Sequence, residues 1–184
     1  NLATNSNAFT VIGSSTVTAD SGISPTGETD AVLADTPSTS GGNAIFLPPY
    51  SVATGITCTT SLYVKNVAGS GILAFFFRST SGSNQTVVWF NLGTGEKGSQ
   101  GADVGSTSVS DFGITSEGNG WLRIYVTGSD STHTARNPFI SSVSADGSTS
   151  RDADGELLIF GAQSEVGSVP TSYIPTAAGS TVTR

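Results

Sequence analysis

The stretch "GWLRIYVT", residues 120–127, carries the pattern that decides the fold. Its side chains alternate between an aliphatic set, Leu122, Ile124 and Val126, and a mixed set, Trp121, Arg123 and Tyr125. Successive side chains of a β-strand point to opposite faces of the sheet. The stretch therefore predicts a strand with one aliphatic face toward a core and a second face of aromatic and cationic groups.

Three further stretches show related alternation. In "ITCTTSLYVK", residues 56–65, an aliphatic face is expected from Ile56, Cys58, Leu62 and Val64, with Tyr63 and Lys65 opposite. In "TVVWFNL", residues 86–92, it is expected from Val88, Phe90 and Leu92, with Trp89 and Asn91 opposite. In "ILAFFFR", residues 72–78, Phe76 and Arg78 share a parity. We expect these strands to place the mixed set on one sheet.

Composition favours many short strands joined by turns. The 184 residues include 23 Gly and 7 Pro, only 11% are charged, and no helical apolar period is sustained. Strands are expected at 8–12, 14–19, 29–34, 43–52, 57–66, 71–79, 85–92, 120–127, 139–144, 156–166 and 180–183. The polar connections 93–106 and 128–138 are expected to be exposed. The prediction is one all-β domain over 1–184, an antiparallel β-sandwich of the jelly-roll type. Because the chain begins at Asn1, we expect it to be excised from a longer protein.

The net charge of the chain limits the classes of partner that it can bind. The formal net charge is −7, and only seven residues are Lys or Arg. Nucleic acids and anionic membranes are bound by clustered cations, so we expect neither as a partner. No apolar run reaches the length of a membrane-spanning helix.

The mixed face has the chemistry that sugars require. The C–H face of a pyranose stacks on a flat ring, and its hydroxyls bind amides and guanidinium groups. The alternative is that these side chains only stabilise cross-strand pairs. The candidate glycan-binding residues are Trp89, Asn91, Trp121, Arg123, Tyr125, Tyr63, Lys65 and Arg78.

Signals for catalysis are weak. The single His133 lies in the polar stretch "SDSTHTAR", residues 129–136, where a solvated loop residue is expected. No nucleophile elbow, zinc motif or phosphate loop occurs, so the sequence favours a domain that is not an enzyme. "DADGE", residues 152–156, resembles the start of a calcium loop and makes Asp152, Asp154 and Glu156 candidate ligands. No cofactor is expected to be required, but a structural Ca²⁺ is an open alternative.

The phrases "WFNLGTGEKGS" (89–99), "GNGWLRIYV" (118–126) and "LLIFGAQSEVGSVPTSYIPT" (157–176) together resemble a family of jelly-roll modules. These modules are concanavalin-like and carbohydrate-binding-like, and they occur in phage tail and virion proteins and beside polysaccharide-degrading enzymes. The resemblance implies that the "TSYIP" loop packs across the sandwich with Tyr173 as an anchor, and that the final strand closes a sheet. Asn91 stands where an Asp is more usual in these modules, and Leu122 where an aromatic residue is usual.

The residues and the resemblance together predict non-catalytic recognition of a polysaccharide or of a bacterial or algal surface glycan. The resemblance also implies an extracellular or virion-associated location. The alternative is a structural or decoration module of a phage particle, which acts through protein–protein contacts and could be oligomeric.

Overall fold

The structure is a computed structural model that describes residues 2–3, 6–37, 42–80 and 84–176. Within these ranges the chain forms fourteen strands and no helix. The strands are β1 (Thr10–Ile12), β2 (Thr16–Ile23), β3 (Thr29–Asp35), β4 (Ala44–Phe46), β5 (Tyr50–Ser51), β6 (Cys58–Ala68), β7 (Ile72–Arg78), β8 (Gln85–Asn91), β9 (Glu96–Gln100), β10 (Thr107–Gly118), β11 (Trp121–Asp130), β12 (Ala135–Arg136), β13 (Phe139–Val143) and β14 (Glu156–Val166). The predicted strand at 180–183 lies outside the described residues.

Twelve of these strands form two six-stranded sheets. The first, sheet A, has the order β1-β4-β13-β7-β8-β9, and the second, sheet B, has the order β10-β11-β6-β14-β3-β2. Strands β5 and β12 form a separate two-stranded ribbon. Every strand pair among the described residues is antiparallel. The predicted all-β antiparallel sandwich is therefore confirmed.

The core lies between the two sheets and consists of the predicted aliphatic faces. Leu62 and Val64 of β6, Val88 and Phe90 of β8 and Ile124 of β11 are all fully buried in one cluster. Because side chains alternate along each strand, burying these residues turns the mixed set outward. Cys58 is also fully buried, whereas Ile56 precedes β6 and is exposed.

The outer faces of both sheets are also largely covered. On sheet A, a second apolar cluster includes Phe76, Trp89 and Phe139, and the guanidinium of Arg151 lies 5.7 Å from the Phe76 ring centroid. On sheet B, a third cluster includes Trp121 and Phe160. The sandwich therefore has apolar contacts in three layers rather than one, which leaves little open face for a ligand.

Three strands were absent from the sequence prediction: β9, β10 and the two-residue β12. β10 has apolar residues at Val109, Phe112 and Ile114, and its register against β11 shifts between Val109 and Asp111. This β-bulge inserts one residue and breaks the two-residue alternation that reveals strands. β9, "EKGSQ", contains no aliphatic residue and forms the edge of sheet A.

The prediction that 128–138 is an exposed connection holds only for Ser131, Thr132 and Thr134 and was wrong for the residues on either side. Asp130 and Arg136 are 0% and 1% exposed, and Arg136 pairs with Tyr50 in the small ribbon. The Arg136 guanidinium donates to the carbonyl oxygens of His133 and Asp130. Burial is tolerated because these carbonyls and the Asp130 carboxylate surround the cation. Among the described residues, no helix is long and apolar enough to cross a membrane.

Candidate functional site

The eight candidate glycan-binding residues do not share one sheet. Trp89, Asn91 and Arg78 lie on β7 and β8 of sheet A, whereas the other five lie on β6 and β11 of sheet B. The core separates the two groups, because each strand turns its aliphatic residues inward. The expectation of a single mixed face was wrong, since residue parity identifies a face but not the sheet that carries it.

Neither tryptophan offers a free ring for stacking. Trp89 is 5% exposed, and its indole nitrogen donates to the carbonyl oxygen of Ser148 at 2.6 Å. Trp121 is 3% exposed and donates to the carbonyl oxygen of Ile23 at 3.1 Å. Each ring is covered by a neighbouring segment, and each nitrogen is satisfied, as buried tryptophans require. Both side chains are therefore placed for packing.

Arg123 of β11 lies between the outer face of sheet B and the segment around Thr171. Its Nη2 donates to Ser61 Oγ at 3.0 Å and to the Thr171 carbonyl oxygen at 2.6 Å, and its guanidinium lies 5.4 Å from the Tyr63 ring centroid. The segment around Thr171 thus lies on the outer face of sheet B. The guanidinium is used inside the protein, as the cross-strand alternative predicted.

Tyr173 packs against the same face. Its ring lies 5.3 Å from that of Phe160 and 6.0 Å from that of Tyr63, and Gly161 at φ +62° leaves room for it. Burial raises the pKa of Tyr173, as expected for a phenol withdrawn from water. The "TSYIP" loop does pack across the sandwich, in agreement with the resemblance.

Three of the remaining candidates also make internal contacts. The Asn91 carboxamide oxygen accepts from the backbone N–H groups of Gly93 and Thr94, which fixes the turn after β8. Lys65 Nζ donates to the Asn119 carbonyl oxygen at 2.8 Å. Arg78 lies 5.9 Å from the Phe139 ring centroid.

Tyr125 differs from the other candidates because its ring borders an open groove. The ring lies against Gly113, where a Cβ atom would approach Tyr125 Cε1 to 2.5 Å, so only glycine permits this position. Tyr125 Oη donates to Asp111 Oδ2 at 3.0 Å, which fixes the ring in place. Burial is the largest cause that raises the pKa of Tyr125, followed by the Asp111 carboxylate.

We call this feature the edge groove. It lies where β9, the edge of sheet A, meets β10, the edge of sheet B, and Gln100 Nε2 joins the two strands by donating to the Val109 carbonyl oxygen at 3.2 Å. Its volume is about 550 Å³. Its lining residues are Gly95, Glu96, Lys97, Phe112, Gly113, Ile114 and Tyr125. Lys97 Nζ lies 5.1 Å from the Phe112 ring centroid. The groove thus combines aromatic surface with the Lys97 ammonium and the Glu96 carboxylate.

Sequence reasoning missed most of this groove. Glu96 and Lys97 fell in the predicted connection 93–106, and Asp111 and Gly113 fell in no predicted element, because β9 and β10 were not recognised. One signal was present in the sequence: Phe112, Gly113 and Ile114 lie close before the turn "GNG" that leads into β11. A hairpin partner for β11 could have been predicted from that turn.

The candidate calcium ligands do not converge. Asp152 accepts hydrogen bonds from the backbone N–H groups of Ser70 and Asp154, whereas Glu156 lies in β14 opposite Asp35 and Ala68. Burial opposes ionisation of Asp152, but these donors outweigh it and lower its pKa. Among the described residues, no group of three or more His, Cys, Asp or Glu side chains is placed to hold a metal ion.

His133 lies beside Asp130 and Ser106. Its Nδ1 is 3.2 Å from Asp130 Oδ2 and 3.2 Å from Ser106 Oγ, and Ser106 Oγ donates to Asp130 Oδ1 at 2.7 Å. In a catalytic triad, serine and carboxylate bind different nitrogens of the imidazole. Here both oxygens face the same nitrogen, so this arrangement does not provide a relay to an activated serine.

Comparison with known proteins adds a structural likeness. No family profile matches the chain, and no curated protein matches it. Among solved structures, it is similar to the CBM22-1 xylan-binding domain of Xyn10C from Paenibacillus barcinonensis. The identity is 17%, the TM-score is 0.48, and the match covers 90% of each chain. The likeness assigns neither a family nor a ligand to this chain.

Proposed function

We propose that this domain is a non-catalytic glycan-binding module and that the edge groove receives a segment of polysaccharide. The observation that supports the proposal is the position of Tyr125, whose ring is fixed by Gly113 and Asp111 beside an open groove. A rigid, partly exposed aromatic ring gives a sugar a stacking surface at low entropic cost.

The polar groups around the ring suit sugar hydroxyls. Glu96 and Lys97 are both exposed on an edge strand, so they can accept and donate hydrogen bonds without disturbing the core. The groove is open along the sandwich edge, which suits an internal segment of a chain. A single module of this kind binds in the millimolar to micromolar range, about −4 to −8 kcal/mol. We place such a module outside the cell or on a virion, where it would meet glycans.

The test is retention of the domain in gels that contain neutral polysaccharides, after a glycan array has selected one. Tyr125→Ala should abolish retention, because it removes the stacking surface, and Lys97→Ala should weaken it. Ile12→Ala, at an exposed site on β1, the edge of sheet A opposite β9, is the control and should be retained like the parent domain. Melting curves must show that the Tyr125→Ala domain is folded. Unchanged retention of folded Tyr125→Ala would refute the assignment of the edge groove.

A measurement of reducing-sugar release separates binding from hydrolysis. Glycoside hydrolysis uses a pair of carboxyl groups across a cleft, and Glu96 and Asp111 both lie near the edge groove. A module that only binds should release no reducing sugar from the polysaccharide that retains it. Release that disappears in Glu96→Gln would make the domain an enzyme.

A second function, assembly through protein contacts, is favoured by one observation. Ile56 and Val166 are 39% and 60% exposed, and the Gly167 N–H donates to the Thr57 carbonyl oxygen between them. Exposed aliphatic residues that adjoin each other are typical of interaction surfaces. Sedimentation of the domain over a range of concentrations tests this function. A stable oligomer that dissociates in Val166→Asp would favour the structural role.

A further inference from the structure

A second cavity opens where β14 separates from β3. The pairing of these strands ends at Ile159 and Val32, after which β14 continues only beside β6. The segment around Ser6 then takes the place of β3, because the Ala162 N–H donates to the Ser6 carbonyl oxygen at 2.8 Å. Between this segment and the β2–β3 hairpin lies a cavity of about 390 Å³, which we call the β3–β14 pocket.

One oxygen in this pocket stands apart from its neighbours. The hydroxyls of Ser6 and Thr176 bind each other at 2.9 Å, and that of Thr26 binds Ser24 Oγ at 2.7 Å. By contrast, Asp30 Oδ1 is buried and receives no hydrogen bond from the described residues. A buried carboxylate oxygen without a donor is destabilising, so its presence requires an explanation.

Two aromatic rings also line the pocket. Phe160 is 3% exposed, Tyr173 is half-buried, and their ring centroids are 5.3 Å apart. Pro175 adds a further apolar surface, and Asp30 is the one charged residue among those that line the pocket. A carboxylate next to aromatic rings attracts a cation, through a charge-assisted hydrogen bond and through the negative ring faces. The net charge of −7 also favours positively charged ligands.

We propose that the β3–β14 pocket binds an amino sugar through its free ammonium group. Asp30 accepts hydrogen bonds from the ammonium, and the half-buried Tyr173 ring, which is supported by the buried Phe160 ring, packs against the C–H face of the sugar. The volume of about 390 Å³ is near the lower end of small-molecule pockets, which suits a monosaccharide. The site is separate from the edge groove and does not depend on the function proposed for it.

The test is a nuclear magnetic resonance titration of the isotopically labelled domain with D-glucosamine. Chemical shifts should change at Asp30, Gly161 and Tyr173. Asp30→Asn should weaken binding at least tenfold, because it removes the charge that faces the ammonium. Glu28→Gln is the matched control, since Glu28 is exposed on the same hairpin and its removal changes the net charge equally. This control should bind within twofold of the parent domain.

Neutral sugars test the role of the ammonium. N-acetyl-D-glucosamine and D-glucose should bind at least tenfold more weakly than D-glucosamine. Equal binding of either neutral sugar would overturn the proposal, as would shift changes confined to β9 and β10. Absence of any shift change with D-glucosamine at roughly 50 mM, above the usual range of weak binding, would also overturn it.

A second variant covers the case in which Asp30→Asn does not fold. Pro175→Lys places a cation at an exposed position on the rim of the pocket and should abolish the D-glucosamine shifts. Retained binding in this variant would contradict the proposal. Asp30→Asn itself should melt at the same temperature or higher, because the wild-type carboxylate oxygen lacks a donor. The edge groove should respond to none of these changes, so loss of this site and loss of polysaccharide retention are distinguishable.

Discussion

Arg123 shows how one side chain can fit a ligand hypothesis in the sequence and have a structural role in the fold. Its position next to Tyr63 on the outer face of sheet B was predictable from alternation. Its acceptor, the Thr171 carbonyl oxygen, lies 48 residues further along the chain. The period of a strand predicts the face of the sheet to which a side chain points, but it does not predict partners that are distant in the sequence. The face that carries Arg123 could therefore be predicted, but the segment around Thr171 that covers this face could not.

We expect Arg123→Ala to lower the free energy of unfolding by about 2–3 kcal/mol. The substitution removes hydrogen bonds from a charged donor to Ser61 and Thr171, together with a contact to the Tyr63 ring. Urea denaturation of both proteins measures the difference. Arg123→Lys keeps the charge without the planar fork and should recover only part of the loss. An Arg123→Ala domain as stable as the parent, but without glycan retention, would instead make Arg123 a ligand residue.

At the scale of the element, the turn between β11 and β12 depends on one carboxylate. Asp130 Oδ1 accepts from the backbone N–H groups of Thr132 and His133 and from the Ser106 hydroxyl. Burial alone would raise the pKa of Asp130, but these donors and the Arg136 guanidinium lower it to about 2 from 3.8. The polar sequence of this turn suggested an exposed loop. The sequence alone does not show that backbone N–H groups of the turn bind the Asp130 carboxylate and so allow it to be buried.

This pKa predicts a loss of stability in acid. The folded value lies below the unfolded value, so the stabilisation by Asp130 is fully present above about pH 5 and disappears as the pH falls toward 2. The contribution is about 2 kcal/mol at neutral pH. Urea denaturation at several pH values should show that the difference between the parent domain and Asp130→Asn shrinks over this interval.

Asp152 also has a lowered pKa, so both proteins will lose some stability in acid, and the difference between them is the relevant quantity. Ser106→Ala is a milder control, because it removes one donor and keeps the carboxylate. A difference that stays constant from pH 6 to pH 2 would show that Asp130 is not the titrating group.

β10 illustrates the other limit of prediction at this scale. The strands with strict alternation, β6, β8 and β11, were found with nearly correct bounds. β10 was missed because its bulge changes the parity between Val109 and Phe112. That irregular strand and its neighbour β9 form the walls of the edge groove. Bulges and polar edge strands are common beside binding sites, so the part of the fold hardest to read was the part that shapes the candidate site.

At the scale of the whole molecule, the coverage of both sheets decides where a ligand could bind. The loop around Ser148 covers Trp89 on sheet A, and the chain segment around Tyr173 covers the Phe160 region of sheet B. The sequence predicted the sandwich and its core correctly, because aliphatic burial dominates folding. It did not predict the coverage, which depends on long-range contacts of irregular segments. Among the described residues, the edge groove and the β3–β14 pocket remain open.

The single cysteine allows the rate of global unfolding to be measured by thiol labelling. Cys58 is fully buried, and burial raises the pKa of its thiol to about 11, so the native protein offers almost no reactive thiolate. With one cysteine in the chain, each modified molecule records one exposure event. At pH 8, iodoacetamide should label the native domain far more slowly than the urea-denatured chain, as followed by mass spectrometry. Arg123→Ala should accelerate labelling by the same factor by which it raises the unfolded fraction. Native labelling at the denatured rate would mean that β6 opens without global unfolding.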